Sequence, residues 1–271
     1  MKNIIQIGKY KIGSGRTFIV AEISANHNGS LKIAKRLITE AKKAGADAVK
    51  IQSYTADSIT LKSNKKDFSI NKKAGRAWLS YKNLYNLYKL GQTPFHWHKP
   101  LFKHAKENGI LIFSSPFDEN AVDLLEKLNC PAYKVASPEI SHFPLLEKIA
   151  KTNKPVIISS GVSYESEIDA AVKYLRKYGC NKICILKCEA NYPSNLKDSN
   201  LSAIRYLKKK FSLPIGFSDH TIGNEAALIS VLFGSSVIEK HFNISSNKSL
   251  DSFFSSSQFE FASLVRNVRI L

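Results

Sequence analysis

The chain has 271 residues, of which 44% are hydrophobic and 23% are charged, so it is long enough for one large domain with a substantial core. Its 40 Lys and Arg residues against 22 Asp and Glu residues give a formal net charge of +18, and its 13 Gly and 9 Pro are too few for a collagenous or low-complexity chain. No apolar run is long enough to cross a bilayer, and the first residues lack the apolar stretch of a signal peptide, so we expect a cytoplasmic globular protein.

Short runs of β-branched residues alternate with longer amphipathic segments along the chain. Eight runs are predicted to be strands: Phe18–Ser24, Ala48–Gln52, Ile110–Ser114, Ala132–Val135, Val156–Ser159, Ile183–Lys187, Pro214–Ser218 and Val237–His241. Eight amphipathic segments are predicted to be helices: residues 30–45, 94–109, 118–129, 143–152, 164–179, 199–211, 223–234 and 257–270. This alternation, in this number and length, predicts a (β/α)8 TIM barrel.

The connection from Thr55 to Thr93, between the second and third predicted strands, is too long for a simple loop. Residues 63–73 are polar and typical of a surface loop, whereas residues 77–90 have Leu, Tyr and Trp at helical spacing and predict an extra helix. The sequence contains no internal repeat and no linker, so residues 1–271 are predicted to form a single barrel domain.

The four cysteines are predicted to be reduced thiols in the core, because this number in a chain of this length does not make a disulfide framework. Cys180, Cys184 and Cys188 have the spacing Cys-x3-Cys-x3-Cys, which leaves a metal or cluster site as an alternative. Structural zinc sites more often use closer Cys-x2-Cys pairs.

The lysines are scattered over what are predicted to be the outer faces of helices, and no nucleic-acid-binding motif accompanies them. This pattern favours a solvated basic surface, so neither nucleic acid nor a membrane is expected as a partner. The alternative is a non-catalytic basic protein that binds nucleic acid or an acidic partner.

Polar residues lie at the carboxyl ends of all eight predicted strands, where a barrel of this type builds its active site. In strand order they are Glu22, Asn26 and His27; Lys50 and Gln52; Ser114 and Ser115; Lys134, Ser137 and Glu139; Ser159 and Ser160; Lys187, Glu189 and Tyr192; Ser218, Asp219 and His220; and Glu239, Lys240 and His241. A buried lysine is costly unless an anion neutralises it, so Lys50, Lys134 and Lys187 together predict a phosphate or carboxylate ligand.

Two histidines, His220 and His241, follow the neighbouring seventh and eighth strands, and Glu22 ends the first strand, which adjoins the eighth when the barrel closes. Two imidazoles and a carboxylate in this arrangement predict a divalent metal site. A different enzyme on the same barrel is an alternative, namely a Schiff-base aldolase with Lys134 or Lys187 as the nucleophile.

Five segments resemble the sialic acid synthase family of nonulosonate synthases: Phe18–Gly29, Ala46–Gln52, Pro131–Glu139, Phe217–Thr221 and Ile238–Phe242. The resemblance covers most of residues 15–255. Within the family, Thr93–His98 together with Phe113–Asp118 is most similar to the pseudaminic acid synthase branch.

The resemblance implies condensation of phosphoenolpyruvate with an open-chain N-acylated amino-hexose, giving a nine-carbon 2-keto acid and phosphate. It implies a divalent metal on His220 and His241, usually manganese, with magnesium or cobalt as alternatives, and it is compatible with a homodimer. The implied catalytic residues are Glu22, Glu139, Lys134 and Tyr192, with the two glutamates as acid/base candidates. The implied substrate-binding residues are Lys50, Gln52, Ser115, Ser137, Ser159, Lys187, Ser218 and Asp251.

The sequence departs from the family pattern in three places, one of which is Asn243–Ser249, where relatives usually have an acidic and basic loop after the last strand. Glu189 and Ala190 stand where relatives usually have Thr, Ser or Asn, which adds a carboxylate close to the expected anion. Family members normally continue into a small antifreeze-like domain, whereas this sequence stops at Leu271, so we expect the barrel without that domain.

Overall fold

The computed structural model describes residues 3–70 and 78–271, and eight of its strands form a closed parallel barrel. Two short strands, β1 (Ile5–Ile7) and β2 (Tyr10–Ile12), precede the barrel and pair as an antiparallel hairpin. The barrel strands are β3 (Phe18–Glu22), β4 (Ala48–Ser53), β5 (Leu111–Pro116), β6 (Tyr133–Val135), β7 (Val156–Ser159), β8 (Ile183–Cys188), β9 (Ile215–Asp219) and β10 (Val237–His241). They follow one another around the ring, and β10 pairs with β3 to close it, so the TIM-barrel prediction is confirmed.

Helices alternate with the barrel strands. They are α1 (Leu31–Lys43), α2 (Ala56–Ile59), α3 (Leu84–Gly91), α4 (Phe95–Glu107), α5 (Glu119–Lys127), α6 (Phe143–Ala150), α7 (Glu165–Lys177), α8 (Ala203–Phe211), α9 (Glu225–Leu232) and α10 (Gln258–Ile270). All eight helices predicted between the strands are present, with ends that differ by a few residues. None of the described helices is long and apolar enough to cross a membrane.

The connection between β4 and β5 differs from its prediction. Its main helix, α3, begins only at Leu84, because the Asn83 side chain accepts a hydrogen bond from the backbone N–H of Asn86 and caps the helix there. The short helix α2 was not predicted. Residues 71–77, which include the end of the predicted loop and the start of the predicted helix, lie outside the described residues.

The hairpin β1–β2 was also missed by the sequence analysis. Its residues Ile5, Ile7 and Ile12 are buried in the same apolar cluster as Phe18, the first residue of β3. The turn residue Gly8 has a φ of +55°, and a Cβ at this position would lie only 2.9 Å from the side chain of Leu111, the first residue of β5. The hairpin therefore covers the amino-terminal end of the barrel and leaves the carboxyl ends of the strands for the site.

The four cysteines are buried and free, as predicted. Cys130, Cys180 and Cys184 belong to the main apolar cluster, which also contains the inner faces of α5, α6 and α7. Within residues 3–70 and 78–271 no group of three or more His, Cys, Asp and Glu side chains is arranged to hold a metal, so the alternative of a cysteine-based metal site is not supported.

The buried carboxylate of Asp47 ties three parts of the barrel together. It accepts hydrogen bonds from Arg16 and Arg269, both at 2.6 Å, and from the backbone N–H of Ile19 at 2.9 Å. Arg269 also donates to the carbonyl oxygen of Thr17 at 2.6 Å. The end of α10 is thereby fixed to the start of β3.

Asp47→Ala is expected to destabilise the fold by about 2–4 kcal/mol, because it leaves a buried N–H and two guanidinium groups without their acceptor. Urea unfolding followed by circular dichroism measures the change. The matched control is Asp123→Ala, which removes the exposed partner of Lys148 at 2.7 Å and is expected to cost less than about 1 kcal/mol. Equal effects of the two changes would contradict the structural role of Asp47.

Candidate active site

Four buried charged side chains meet at the carboxyl end of the barrel. Lys50 of β4 forms an ion pair with Glu22 of β3 and lies 3.4 Å from Glu239 of β10. Lys134 of β6 lies 4.0 Å from the same Glu239 carboxylate oxygen. Strand register explains part of the arrangement, because Glu22 is directly opposite Lys50 in the β3–β4 pair. Two ammonium groups and two carboxylates thus share one water-poor site.

Burial and pairing set the protonation of this cluster. Burial raises the pKa of Glu22 to about 7, against the opposing effect of Lys50. Burial also lowers the pKa of Lys134. For Glu239 burial would raise the pKa, but Lys134 and Lys50 outweigh it and the pKa is lowered. Glu22 is therefore the carboxyl group of the cluster that takes up a proton first.

Serine hydroxyls from several strands line the same mouth. Ser115 accepts a hydrogen bond from Lys50 at 3.2 Å, and Ser137 accepts one from the backbone N–H of Gly161 at 2.9 Å. The hydroxyl of Ser159 is buried and has no partner among the described residues. An unpaired buried hydroxyl costs free energy, so these groups favour a polar ligand.

Glu139 follows β6 in a 3-10 turn, Ser137–Ser141, and is partly buried. Burial raises the pKa of its carboxyl group to about 7, and one of its oxygens has no partner within the described parts of the chain. A carboxyl group with this pKa can both donate and accept a proton near neutral pH.

The two predicted metal ligands lie side by side. The ring centroids of His220 and His241 are 5.4 Å apart, and Tyr192 stacks on His220 at 4.2 Å. His241 is directly opposite Glu22 in the β10–β3 pair. The Nδ1 of His220 lies 2.5 Å from the carbonyl oxygen of Glu189, which makes Nδ1 a hydrogen-bond donor and leaves Nε2 as the nitrogen that could bind a metal.

These two imidazoles fit a divalent metal. A ring N–H that donates to a backbone carbonyl is the usual support of a metal-binding histidine, as for His220. Burial, together with the charges of His220 and Lys50, lowers the pKa of His241 far below its usual value, so its ring is neutral and able to act as a ligand. The Nδ1 of His241 is buried and unpaired among the described residues. His220 and His241 thus offer two metal ligands, and substrate or water would have to supply the remaining ones.

Aromatic side chains cover the histidine pair. Phe254 lies 4.7 Å from His241 and 5.0 Å from Tyr192 between ring centroids, and Trp78 lies 5.9 Å from Tyr192. The indole N–H of Trp78 donates to the carbonyl oxygen of Leu250 at 2.9 Å. This cover keeps bulk water away from the imidazoles, which strengthens electrostatic interactions beneath it.

Asp251 lies in the loop after β10 and connects it to the first loop of the barrel. Its carboxylate accepts a hydrogen bond from the backbone N–H of Ala25 at 3.2 Å. Asn26 reinforces the same connection by donating to the carbonyl oxygen of Phe242 at 2.9 Å. The structure therefore gives Asp251 a positioning contact with the loop that follows Glu22.

Lys187 and the extra carboxylate at Glu189 neutralise each other. Their charged atoms are 2.7 Å apart, and Lys187 also donates to the carbonyl oxygen of Cys188. The side chain that β8 directs toward the cluster is Cys188, whose sulfur lies 3.9 Å from Nδ1 of His220. The remaining expected residues are placed at the same end, with Ser218 3.4 Å from Glu239 and Gln52 opposite Ser115.

Glu239 and Cys188 received no role in the sequence analysis. Side chains alternate between the two faces of a strand, so Glu239 lies on the same face of β10 as His241. Glu239 could have been identified from the sequence in this way. The same rule places Cys188 on the face of β8 opposite to that of Lys187.

Comparison with known proteins identifies close relatives. The sequence profile of the NeuB family matches residues 37–271. The pseudaminic acid synthase of Campylobacter jejuni serotype O:2 is 42% identical over 98% of this chain and 76% of its own length. The pseudaminic acid synthase of Helicobacter pylori is 44% identical over 93% of this chain and 73% of its own length.

A solved structure has the same architecture. It is the N-acetylneuraminic acid synthetase of Leptospira borgpetersenii in complex with citrate, which is 34% identical, with a TM-score of 0.87 over 100% of this chain and 89% of that chain.

Proposed function

This chain belongs to the NeuB family, and we propose that its barrel mouth condenses phosphoenolpyruvate with an open-chain N-acylated amino-hexose. The products are a nine-carbon 2-keto acid and inorganic phosphate. The observation that carries the proposal is the convergence of two buried lysines, Lys50 and Lys134, with the imidazoles of His220 and His241 at one end of the barrel.

The reaction forms a carbon–carbon bond and a carbon–oxygen bond from water to C2, and it breaks the bond between C2 and the phosphate oxygen. C3 of phosphoenolpyruvate attacks the aldehyde carbon of the sugar, and water adds to the cationic C2 that results. The tetrahedral C2 centre then releases phosphate and becomes the keto group. Fixed cations in a dry site stabilise the charge that develops on the departing phosphate.

Lys50, Lys134 and the serine hydroxyls are the groups suited to phosphoenolpyruvate. The set comprises Ser115, Ser137, Ser159 and Ser218. In the free protein Glu22 and Glu239 balance the two lysines. Because the pKa of Glu22 is about 7, the negative charge of an arriving anion can drive Glu22 to take up a proton from solvent, which frees Lys50 for the ligand.

Glu139 and Glu22 are the proposed acid and base, since both have a pKa raised by burial to about 7. Tyr192, Gln52 and Asp251 are proposed to orient the sugar, and Lys187 to support the anion side of the site through the loop it shares with Glu189.

A divalent ion held by His220 and His241, for which manganese is the first candidate, would polarise the sugar aldehyde as a Lewis acid. The neutral ring of His241 and the carbonyl-supported ring of His220 support this assignment.

The proposal is tested by phosphate release from phosphoenolpyruvate in the presence of manganese, with and without N-acetylmannosamine and 2,4-diacetamido-trideoxyhexoses. Mass spectrometry of the product should reveal a nine-carbon keto acid with one of these sugars. Borohydride should trap no substrate-dependent adduct, since a trapped lysine would favour the aldolase. Phosphate release that does not depend on any sugar would contradict the proposal.

A further inference from the structure

A cavity of about 640 Å³ lies at the amino-terminal end of the barrel, at the opposite end from the candidate active site. Its wall is formed by the last turns of α8 and α10 and by the segments that lead into β3, β9 and β10. The described residues that line it include Arg16, Lys208, Ser235, Val268 and Arg269. Pockets for small organic molecules have volumes of about 300–1,000 Å³, so this cavity has the size of a ligand site.

The cavity carries a surplus of positive charge. Arg16, Lys208 and Arg269 line it, whereas no Asp or Glu is among the described residues of its wall. Arg16 and Arg269 share a single carboxylate, that of Asp47, at 2.6 Å each. In the parts of the chain that the structure describes, Lys208 has no acidic partner, unlike Lys210 of the same helix. Three cations with one neutralising carboxylate favour an anionic ligand.

An unpaired hydroxyl lies in the same wall. Ser235 is 4% exposed, and its side-chain oxygen has no hydrogen-bond partner among the described residues. The neighbouring Gly234 has a φ of +92°, and a Cβ at this position would lie 3.2 Å from the ammonium nitrogen of Lys208. Lys208 is therefore folded over the turn that contains Ser235. A ligand oxygen at this turn can accept hydrogen bonds from the ammonium group and from the hydroxyl.

A phosphate group suits these donors better than a carboxylate does. Two guanidinium groups, an ammonium group and a hydroxyl offer more hydrogen bonds than the two oxygens of a carboxylate can accept. A phosphate monoester has three free oxygens and carries about −1.5 to −2 charges near neutral pH. This charge balances the surplus of +2 that remains when one carboxylate is subtracted from three cations.

The remainder of the wall is partly apolar. Leu213, Pro214, Val231 and Val268 contribute to it, from α9, α10 and the segment that leads into β9. Inorganic phosphate would fill only a small part of the cavity and would leave these side chains in contact with water. Apolar surface favours a ligand whose other end is flat or apolar. A nucleoside monophosphate has both parts, namely a phosphate and a flat base.

We propose that this cavity binds an organic phosphate of the nucleoside monophosphate type, with the base against the apolar wall and the phosphate held by Arg16, Lys208, Ser235 and Arg269. The proposal does not rest on the proposed function, because the cavity shares no residue with the barrel mouth. The site is also separate from catalysis, since barrels of this type carry out their chemistry at the carboxyl ends of the strands.

Isothermal titration calorimetry of the 271-residue chain with adenosine 5′-monophosphate (AMP) tests the proposal. One AMP is expected to bind per chain. Adenosine and inorganic phosphate are each expected to bind at least about tenfold more weakly, because each lacks one of the two parts that the cavity contacts. Lys134→Met, which removes a lysine from the barrel mouth, is expected to leave the affinity for AMP unchanged.

Two neighbouring lysines give a matched pair of variants. Lys208→Glu is expected to weaken AMP binding by at least about tenfold, because it replaces an attractive charge in the cavity with a repulsive one. Lys209→Glu makes the same change on the same helix at a residue that does not line the cavity, and it is expected to weaken binding by less than about twofold. Both residues are exposed, and circular dichroism verifies that each variant is folded.

Ser235→Ala tests the unpaired hydroxyl and is expected to weaken AMP binding by about fivefold. Four results would each overturn the proposal. They are no binding of AMP at millimolar concentration, inorganic phosphate that binds as tightly as AMP, equal effects of Lys208→Glu and Lys209→Glu, and loss of AMP binding in Lys134→Met, which would place the nucleotide in the barrel mouth.

Discussion

His241→Ala is expected to reduce metal-dependent phosphate release by more than about 100-fold while the barrel remains folded. The change removes one of the two imidazoles that the structure brings together at a centroid distance of 5.4 Å. It also removes the ring contact between His241 and Phe254, one of the aromatic side chains that cover the site. His220→Ala is expected to have an effect of the same order, because either change leaves the metal with only one of its two imidazole ligands.

Manganese binding gives a readout of this prediction that does not depend on catalysis. Titration followed by electron paramagnetic resonance should show manganese bound by the wild-type chain and free in both variants. His241→Asn, which keeps a polar side chain, serves if the alanine variant fails to fold. His96→Ala is the matched control, since His96 is exposed on α4. Undiminished turnover in His220→Ala or His241→Ala would defeat the metal assignment.

Glu239→Gln is expected to destabilise the free protein by about 3 kcal/mol, because it removes one carboxylate from a buried group of two lysines and two glutamates. The remaining carboxylate, Glu22, cannot compensate both Lys50 and Lys134. An anion in the mouth would supply the missing charge. Phosphate or phosphoenolpyruvate is therefore expected to raise the melting temperature of the variant by more than it raises that of the wild-type chain.

Thermal melting with increasing phosphate measures both effects together. The control is Glu119→Gln, which removes a carboxylate from the first turn of the outer helix α5. It is expected to leave the response to phosphate unchanged. If phosphate stabilises Glu239→Gln and the wild-type chain equally, Glu239 does not compete with a bound anion. A bound anion then does not replace the negative charge of Glu239 beside the two lysines.

Much of the fold could be predicted because it is encoded in local patterns. A run of β-branched residues such as Val156–Ser159 marks a strand by itself, and an amphipathic segment such as Leu31–Lys43 marks a helix. The hairpin β1–β2 has no such signal, because its strands have three residues each and are stabilised by packing against the end of the barrel.

The sequence was sufficient to predict which strand ends contribute residues to the candidate site. Parallel strands in a closed barrel bring their carboxyl ends together, so residues as distant as Lys50, Lys134 and His241 were expected at one mouth. The pairing of their charges could not be predicted. That Lys50 meets both Glu22 and Glu239 depends on the closure of β10 against β3, which no local pattern describes.

The sequence by itself determined the barrel, the end of the barrel that carries polar residues, and the family resemblance, because each depends on residue type and spacing along the chain. Only the tertiary structure decided which side chains face one another: Glu239 between two lysines, Lys187 against Glu189, and large apolar residues on the outside of α9. The physical reason is that burial and electrostatic pairing depend on neighbours across strands and helices. Those neighbours are set by strand register and barrel closure.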